Sequence, residues 1–341
     1  MRLLLFQFLT THLSLHTQTR RPYRVVPLST PVANTDQVLA RVRFGHAVTD
    51  DDPRTIVVPL PQLSGDAGEL WLSDTAVETG WSHGIGYCEN AHVLFGQHRI
   101  SEAEISRHGL DRAVFHAYVR IEQLLVARGY PYWLRIWNYI SGILDGDNDR
   151  ERYRQFNLGR HRALSIKPGF ETCLPAATAI GTPGEGLLIY FLAGRAPGQP
   201  VENPRQMNAW RYPQQYGPRS PSFSRASLLD WSDGAELLVS GTASVVGHES
   251  RHAGDIVAQL AETLTNLDSL RAEAERLKGF APNTFKPQTF KLYVVDRAQL
   301  PRLQPMLAAR PEGACVSGLE GTICRNDLHV EIEGSYRVHG A

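Results

Sequence analysis

Two tyrosine–arginine pairs carry the clearest chemical signal in the chain. Tyr153 and Arg160 lie seven residues apart on one predicted helix, two turns along a single face, and Tyr212 and Arg225 flank the end of a proline-rich stretch. A guanidinium is a rigid fork that grips a carboxylate through two hydrogen bonds, and a phenolic hydroxyl beside it can fix another oxygen. The pattern suits an anionic substrate. Spacing alone fits a solvated arginine and a core tyrosine equally well. A further candidate stands near the C-terminus, where Leu328 to Gly334 alternates so that Glu331 and Glu333 share one strand face and Val330 and Ile332 the other. Alternation does not say which face is buried. If the glutamate face meets a pocket, a partly desolvated carboxyl there would have a raised pKa and could act as acid or base near neutral pH.

Other motifs are weaker. His248-Glu249-Ser250-Arg251-His252 matches the HExxH pattern of zinc hydrolases, but that pattern works on a helix, where residues four apart share a face. Here a predicted strand ends at Val246, Gly247 follows, and Gly254-Asp255 signals a helix start, so the turn is expected to line a pocket and hold no metal. Asp145 to Asp149 has the acidic alternation of a calcium loop, but its glycine stands at the second place rather than the sixth and no glutamate occupies the twelfth, so it reads as a solvated turn capping the helix that follows. Gly181 to Gly186 joins two strands and opens no helix that could cradle phosphate. There is no dinucleotide fingerprint and no GxSxG nucleophile elbow, so the expected chemistry uses neither cofactor nor metal.

The elements that would position these residues follow from periodicity. Residues 1–65 form an N-terminal extension and lead-in strands. Residues 66–195 form a first domain, in which a strand at Glu69 to Ser73 is expected to pair with one spanning Gly84 to Gly96. A single long helix is expected from Ser101 to Arg128, with a capping box at Ser101 and Glu104. A strand over Tyr132 to Ile140, a helix over Asp149 to Leu164 and a strand over Cys173 to Ile180 complete the unit. Residues 196–225 are a proline-rich connecting loop, and loops this long tend to carry function. Residues 226–341 repeat the order with strands at Ala226 to Trp231 and Glu236 to Val246, a helix at Asp255 to Lys278, a strand at Phe290 to Val295, a helix at Ala298 to Leu307, and strands near Ala314 to Val316 and Leu328 to Gly334. The fold class is α+β, built from two similar ββαβαβ units.

Composition narrows the function. The 341 residues hold 35 Lys+Arg against 35 Asp+Glu, which leaves no electrostatic footprint for nucleic acid or an anionic membrane. The four cysteines form neither a CxxC pair nor a dense framework, which suits free thiols in a reducing compartment. The apolar start, Leu3 to Leu9, is interrupted by Thr10, Thr11 and His12 with no small-residue cleavage site, so a cytoplasmic location is expected.

With these residues in view, the C-terminal half resembles the YjgF/RidA family, through Glu236 to Gly241, the helix opened by Gly254-Asp255-Ile256, the strand Lys291 to Asp296 and the ending Val330-Glu331-Ile332-Glu333-Gly334. From about residue 65 onward the whole chain is similar to the chorismatases, whose C-terminal domain is YjgF-like. The matching segments are Arg152 to Asn157 with Gly159-Arg160, Pro175 to Gly181, Ser240 to Ser244 through Gly247-His248, and Cys324 to Leu328 before Glu331. The resemblance implies that Tyr153, Arg160, Tyr212 and Arg225 bind chorismate and that Glu331 is the catalytic carboxyl. It implies 3-hydroxybenzoate and pyruvate as products, with 4-hydroxybenzoate as a second ring product, because Cys324 stands seven residues before Glu331 and a small residue, matched to Gly247, stands in the turn. The alternatives are hydrolysis to a dihydroxycyclohexadiene carboxylate and a non-enzymatic YjgF-like binding module. A monomer and a homotrimer are both compatible with two such units in one chain.

Overall fold

The computed structural model describes residues 19–45, 51–309 and 315–339; the readings of the apolar N-terminal start and of Ala314 lie outside them. Five lead-in strands come first: β1 (Tyr23–Pro27), β2 (Val38–Phe44), β3 (Thr55–Val58), β4 (Gln62–Ser64) and β5 (Gly68–Ser73). Four of these form a separate sheet in the order β1-β5-β2-β3. The strand at Glu69 to Ser73 therefore pairs with β1 and β2, not with the Gly84 to Gly96 segment.

The first large unit runs β6 (Glu78–Ser82), β7 (Ile85–Glu89), β8 (Val93–Ile100), α1 (Glu102–His108), α2 (Leu110–Arg128), β9 (Tyr132–Ser141), α3 (Arg152–Leu164), β10 (Ala176–Thr182) and β11 (Leu187–Gly194). Ser101 caps α1 by accepting the Glu104 backbone N–H, as its capping-box position requires. The expected single helix is broken at Gly109, whose φ of +84° is left-handed and closed to most side chains, so α2 starts afresh. Leu110, Val114, Tyr118, Ile121 and Leu125 of α2 pack onto one face of the sheet with Ile136, Ile189 and Phe191.

The second unit runs β12 (Gln199–Val201), β13 (Ala226–Trp231), β14 (Gly234–Ala243), β15 (Val245–Val246), β16 (Glu249–Ser250), α4 (Ile256–Lys278), β17 (Lys286–Val294), α5 (Leu300–Ala308), β18 (Cys315–Glu320) and β19 (Val330–His339). The two sheets are ordered β10-β9-β11-β8-β7-β6 and β12-β13-β14-β19-β17-β18-β4. The α+β class and the doubled unit hold, and both units carry more strands than the periodicity showed, six in the first sheet and, counting β4, seven in the second. In both, the last strand returns to lie antiparallel between the strands that precede and follow the unit's long helix (β11 between β8 and β9, β19 between β14 and β17). The pairs joined by a crossover helix, β9 with β10 and β17 with β18, are parallel, as such a connection demands.

Helices cover the outer face of each large sheet. The inner faces meet across a common core with the lead-in sheet, where Leu39, Ile56 and Trp71 pack with Phe95, Trp137 and Tyr190 and with Leu238 and Tyr293. This arrangement answers the question that alternation left open in β19. Val330 and Ile332 lie in the core under α4, so Glu331 and Glu333 are turned into the space between the sheets. Among the described residues no helix is long and apolar enough to cross a membrane.

Candidate active site

A cavity of about 570 Å³ opens where the two units meet. The start of α3 supplies Glu151, Tyr153 and Arg154; the proline-rich strap supplies Tyr212, Tyr216, Phe223 and Arg225; and the loop before β19 supplies Cys324 to Leu328, with Glu331 beyond it. Behind this space is a smaller chamber of about 40 Å³, bounded by Phe156, Asn157, Arg160 and Thr178 and sharing Tyr153, Cys324 and Glu331 with the main cavity.

Glu331 opens β19 opposite Ala243 of β14 and Tyr293 of β17. It is only 4% exposed, and its carboxyl accepts no hydrogen bond among the described residues. Burial, reinforced by the charge of Glu333, pushes its pKa up to about 8, with Arg135 and Arg225 pulling the other way. The space for that carboxyl is made by a bulge in β14, where the register with β19 shifts between Val239 and Thr242. Gly241 sits in the bulge with its N–H donated to Thr178 Oγ1 at 3.0 Å, and a Cβ there would overlap Glu331 Oε1. The small residue beside the acid is therefore Gly241. Gly247 does not line the cavity; it turns the β15–β16 hairpin, and its backbone bonds Arg205 and Met207 to fasten the strap.

Two residues along the same strand, Glu333 is saturated with partners. Arg135 Nη2 reaches Oε2 at 2.5 Å, and Trp137 Nε1 (3.0 Å), Tyr293 Oη (2.8 Å) and Lys291 Nζ (3.1 Å) reach Oε1; Thr178 also donates to it. Burial alone would raise its pKa, but Lys291, Arg135 and the hydroxyl donors outweigh that and hold it below the usual value.

The arginines differ in their satisfaction too. Arg160 is 3% exposed, lies over the ring of Tyr118 at 5.4 Å, and leaves Nε and Nη2 without a partner. Among the described residues the neighbouring Asn157, which faces Tyr153, likewise leaves Nδ2 without an acceptor at normal hydrogen-bond geometry. Arg225 donates through Nη2 to Tyr212 Oη and to the Met207 carbonyl, both at 2.7 Å, while its Nε is unpaired. Buried donors without acceptors are costly, so these groups are poised for an anionic oxygen that comes from outside the chain. Cys324 is a protonated thiol, since burial and then the Glu331 charge push its pKa up to about 12.

Sequence reading missed several residues here. Gly241 was hidden because a bulge cannot be read from alternation, and Asn157 because only burial makes its empty donor informative. Arg325 stacks on Tyr216 (4.1 Å) and Tyr212 (5.2 Å) and donates to the His248 carbonyl at 2.9 Å, so the HExxH turn serves as a wall of the cavity. Glu249 and Ser250 of that turn line it; helix α4 begins only at Ile256, and the described residues hold no metal-binding cluster.

Residues 69–193 match the family model described as chorismatase FkbO/Hyg5-like, N-terminal. A chorismatase of Streptomyces rapamycinicus is 37% identical over 306 residues, covering 86% of this chain and 90% of that protein. The chain belongs to the chorismatase family. A 3-hydroxybenzoate synthase of Streptomyces hygroscopicus is 36% identical over 284 residues, covering 78% of this chain and 80% of the relative. A chorismatase crystal structure superposes with a TM-score of 0.81 at 33% identity, over 92% of this chain and 97% of the other. The family thus spans both units and the strap, so its fold includes every wall of the cavity described above.

Proposed function

We propose that this chain converts chorismate to 3-hydroxybenzoate and pyruvate. One observation carries the reading: two adjoining spaces that share Glu331, whose burial pushes its pKa up to about 8, hold two buried guanidinium groups with donors unpaired among the described residues, Arg160 in the inner and Arg225 in the outer. Chorismate carries a ring carboxylate and an enolpyruvyl carboxylate, and two arginines are what such a dianion requires. Tyr212, held by Arg225, and Tyr153, at the junction of the two spaces, complete the grip.

The chemistry is proton transfer. Glu331 gives its proton to the enol-ether methylene, the cationic centre so formed draws the ring C–O electron pair onto oxygen, and that bond breaks to leave pyruvate. The neighbouring ring hydroxyl attacks the vacated carbon to bridge the two, the oxygen's original bond to its own carbon then breaks, the attacked carbon loses its proton as the ring becomes aromatic, and the Glu331 carboxylate takes a proton back. One proton enters and one leaves, so no other reactant is consumed. Cys324, an uncharged thiol beside the acid, favours this internal route over attack by water.

The test is to incubate the purified protein with chorismate and EDTA, follow pyruvate, and separate the ring products. Pyruvate with 3-hydroxybenzoate is the expected result, and 4-hydroxybenzoate as a second product is compatible with it. A non-aromatic diol would overturn the role of Cys324, and absence of pyruvate would overturn the enzyme reading in favour of a binding module.

A further inference from the structure

The two spaces of the site differ in size and in access, and this orders the departure of the products. The inner chamber, at about 40 Å³, has room for a carboxylate but not for a six-membered ring. Of its walls away from the main cavity, Phe156, Ala177 and Thr178 are buried and Ala179 is half-buried, and it joins the main cavity across Tyr153, Phe223, Gly241, Cys324 and Glu331. Among the described residues, Nε and Nη2 of Arg160 are buried in it with no acceptor, and Nδ2 of Asn157, which faces Tyr153, has none at normal hydrogen-bond geometry. Such a set suits a carboxylate.

Which carboxylate enters is decided by Glu331, which borders both spaces. The methylene that takes its proton is separated by one carbon from the enolpyruvyl carboxylate, whereas the ring carboxylate lies beyond the ether oxygen and part of the ring. With the enolpyruvyl carboxylate on Asn157 and Arg160, the methylene falls beside Glu331 and the ring fills the main cavity toward Arg225. We infer that pyruvate is formed in the inner chamber behind the ring product, so that the hydroxybenzoate leaves first and pyruvate last, with Asn157 as a pyruvyl-binding residue.

This inference rests on the chorismate reading and is tested by product inhibition in initial-rate assays that follow chorismate loss by chromatography. Pyruvate should compete with chorismate, because both bind the free enzyme. Added 3-hydroxybenzoate should inhibit noncompetitively, because it meets the pyruvate complex. Replacing Asn157 by Ala should weaken pyruvate inhibition about tenfold, the loss expected for a buried hydrogen bond to a charged group, and change inhibition by 3-hydroxybenzoate less than about twofold. The reverse pattern, competition by both products, or no inhibition by pyruvate where 3-hydroxybenzoate inhibits would each overturn the order of release. Failure to consume chorismate at all would instead overturn the function on which it rests.

Discussion

Glu331 and Glu333 stand on the same face of one strand, yet they are opposite kinds of carboxyl. Glu333 has two cations and three neutral donors around it, and its charge is the lynchpin of a network that joins the three larger sheets through Arg135 of β9, Lys291 of β17 and Glu69 of β5. Glu331 borders the cavity, faces the backbone of a glycine, and among the described residues has no hydrogen-bond donor, with Arg135 and Arg225 too weak in their pull to offset burial. The lesson is that burial does not by itself make a catalytic acid. Both residues are buried, and the difference lies in whether the fold supplies counter-charges or withholds them.

Removing the acid should produce the largest effect. A positioned general acid contributes about 10²- to 10⁴-fold, so Glu331→Gln should lower kcat by about 10³-fold while calorimetry still detects chorismate binding within a few-fold of wild type. Loss of binding together with turnover would make Glu331 a substrate anchor and not a proton donor.

The companion change at Glu333 should act on stability. Deleting one partner of a buried ion pair typically costs about 3–5 kcal/mol, so Glu333→Gln should lower the denaturation midpoint strongly. Whatever activity survives should titrate differently as well. Without the Glu333 charge, and with Arg135 left unneutralised, the Glu331 anion is less disfavoured, so the alkaline loss of kcat/KM should move to lower pH. An unmoved profile would show that Glu333 does not tune its neighbour.

In the wild type, activity needs protonated Glu331, so kcat/KM should fall as pH rises through about 8. The same shift has a sign for stability. Glu331 has a folded pKa above its unfolded value of 4.5, so its contribution is complete below that value and is lost as pH rises through the folded one. Glu331→Gln should therefore gain on wild type between about pH 5 and 8, by on the order of a few kcal/mol, and the gap should then level off. Urea unfolding at pH 5, 7 and 9 measures it; parallel stabilities across that range would mean the carboxyl is ionised throughout.

A smaller effect is expected at the thiol. Cys324→Ala removes an uncharged neighbour of Glu331, so chorismate consumption should stay within about threefold, while chromatography shows ring product moving from hydroxybenzoate toward the diol. An unchanged product would remove Cys324 from the choice between internal attack and water.

Much of this site was legible in the chain because it is local. The seven-residue spacing of Tyr153 and Arg160 survives as one face of α3, and Val330 to Glu333 alternates as a strand must. What was not legible depends on elements distant in sequence. The buried face of β19 is set by sheet-on-sheet packing, since α4 claims Val330 and Ile332 and leaves the glutamates to the interior. The pairing of β5 is decided by the lead-in strands, which carry little pattern of their own. The break at Gly109 had a visible cause in the glycine itself, but the apolar spacing runs through it and masks the stop.

Gly247 and Gly241 extend the same contrast to two glycines. Gly247 was the candidate for the small residue near the acid, and Gly241 lies unremarked in the same segment, Ser240 to His248. Gly241 touches Glu331, whereas Gly247 has a φ of +61° and open space where a Cβ would go. Alanine at position 247 should therefore cost only the left-handed strain, roughly 1 kcal/mol, seen as a small shift in the urea midpoint with kcat/KM within twofold. A fall in kcat/KM larger than the stability loss explains would bring the hairpin turn into the substrate site. The expected result confines its role to fastening the strap through Arg205 and Met207, and so to holding Tyr212 and Arg225 where the dianion needs them.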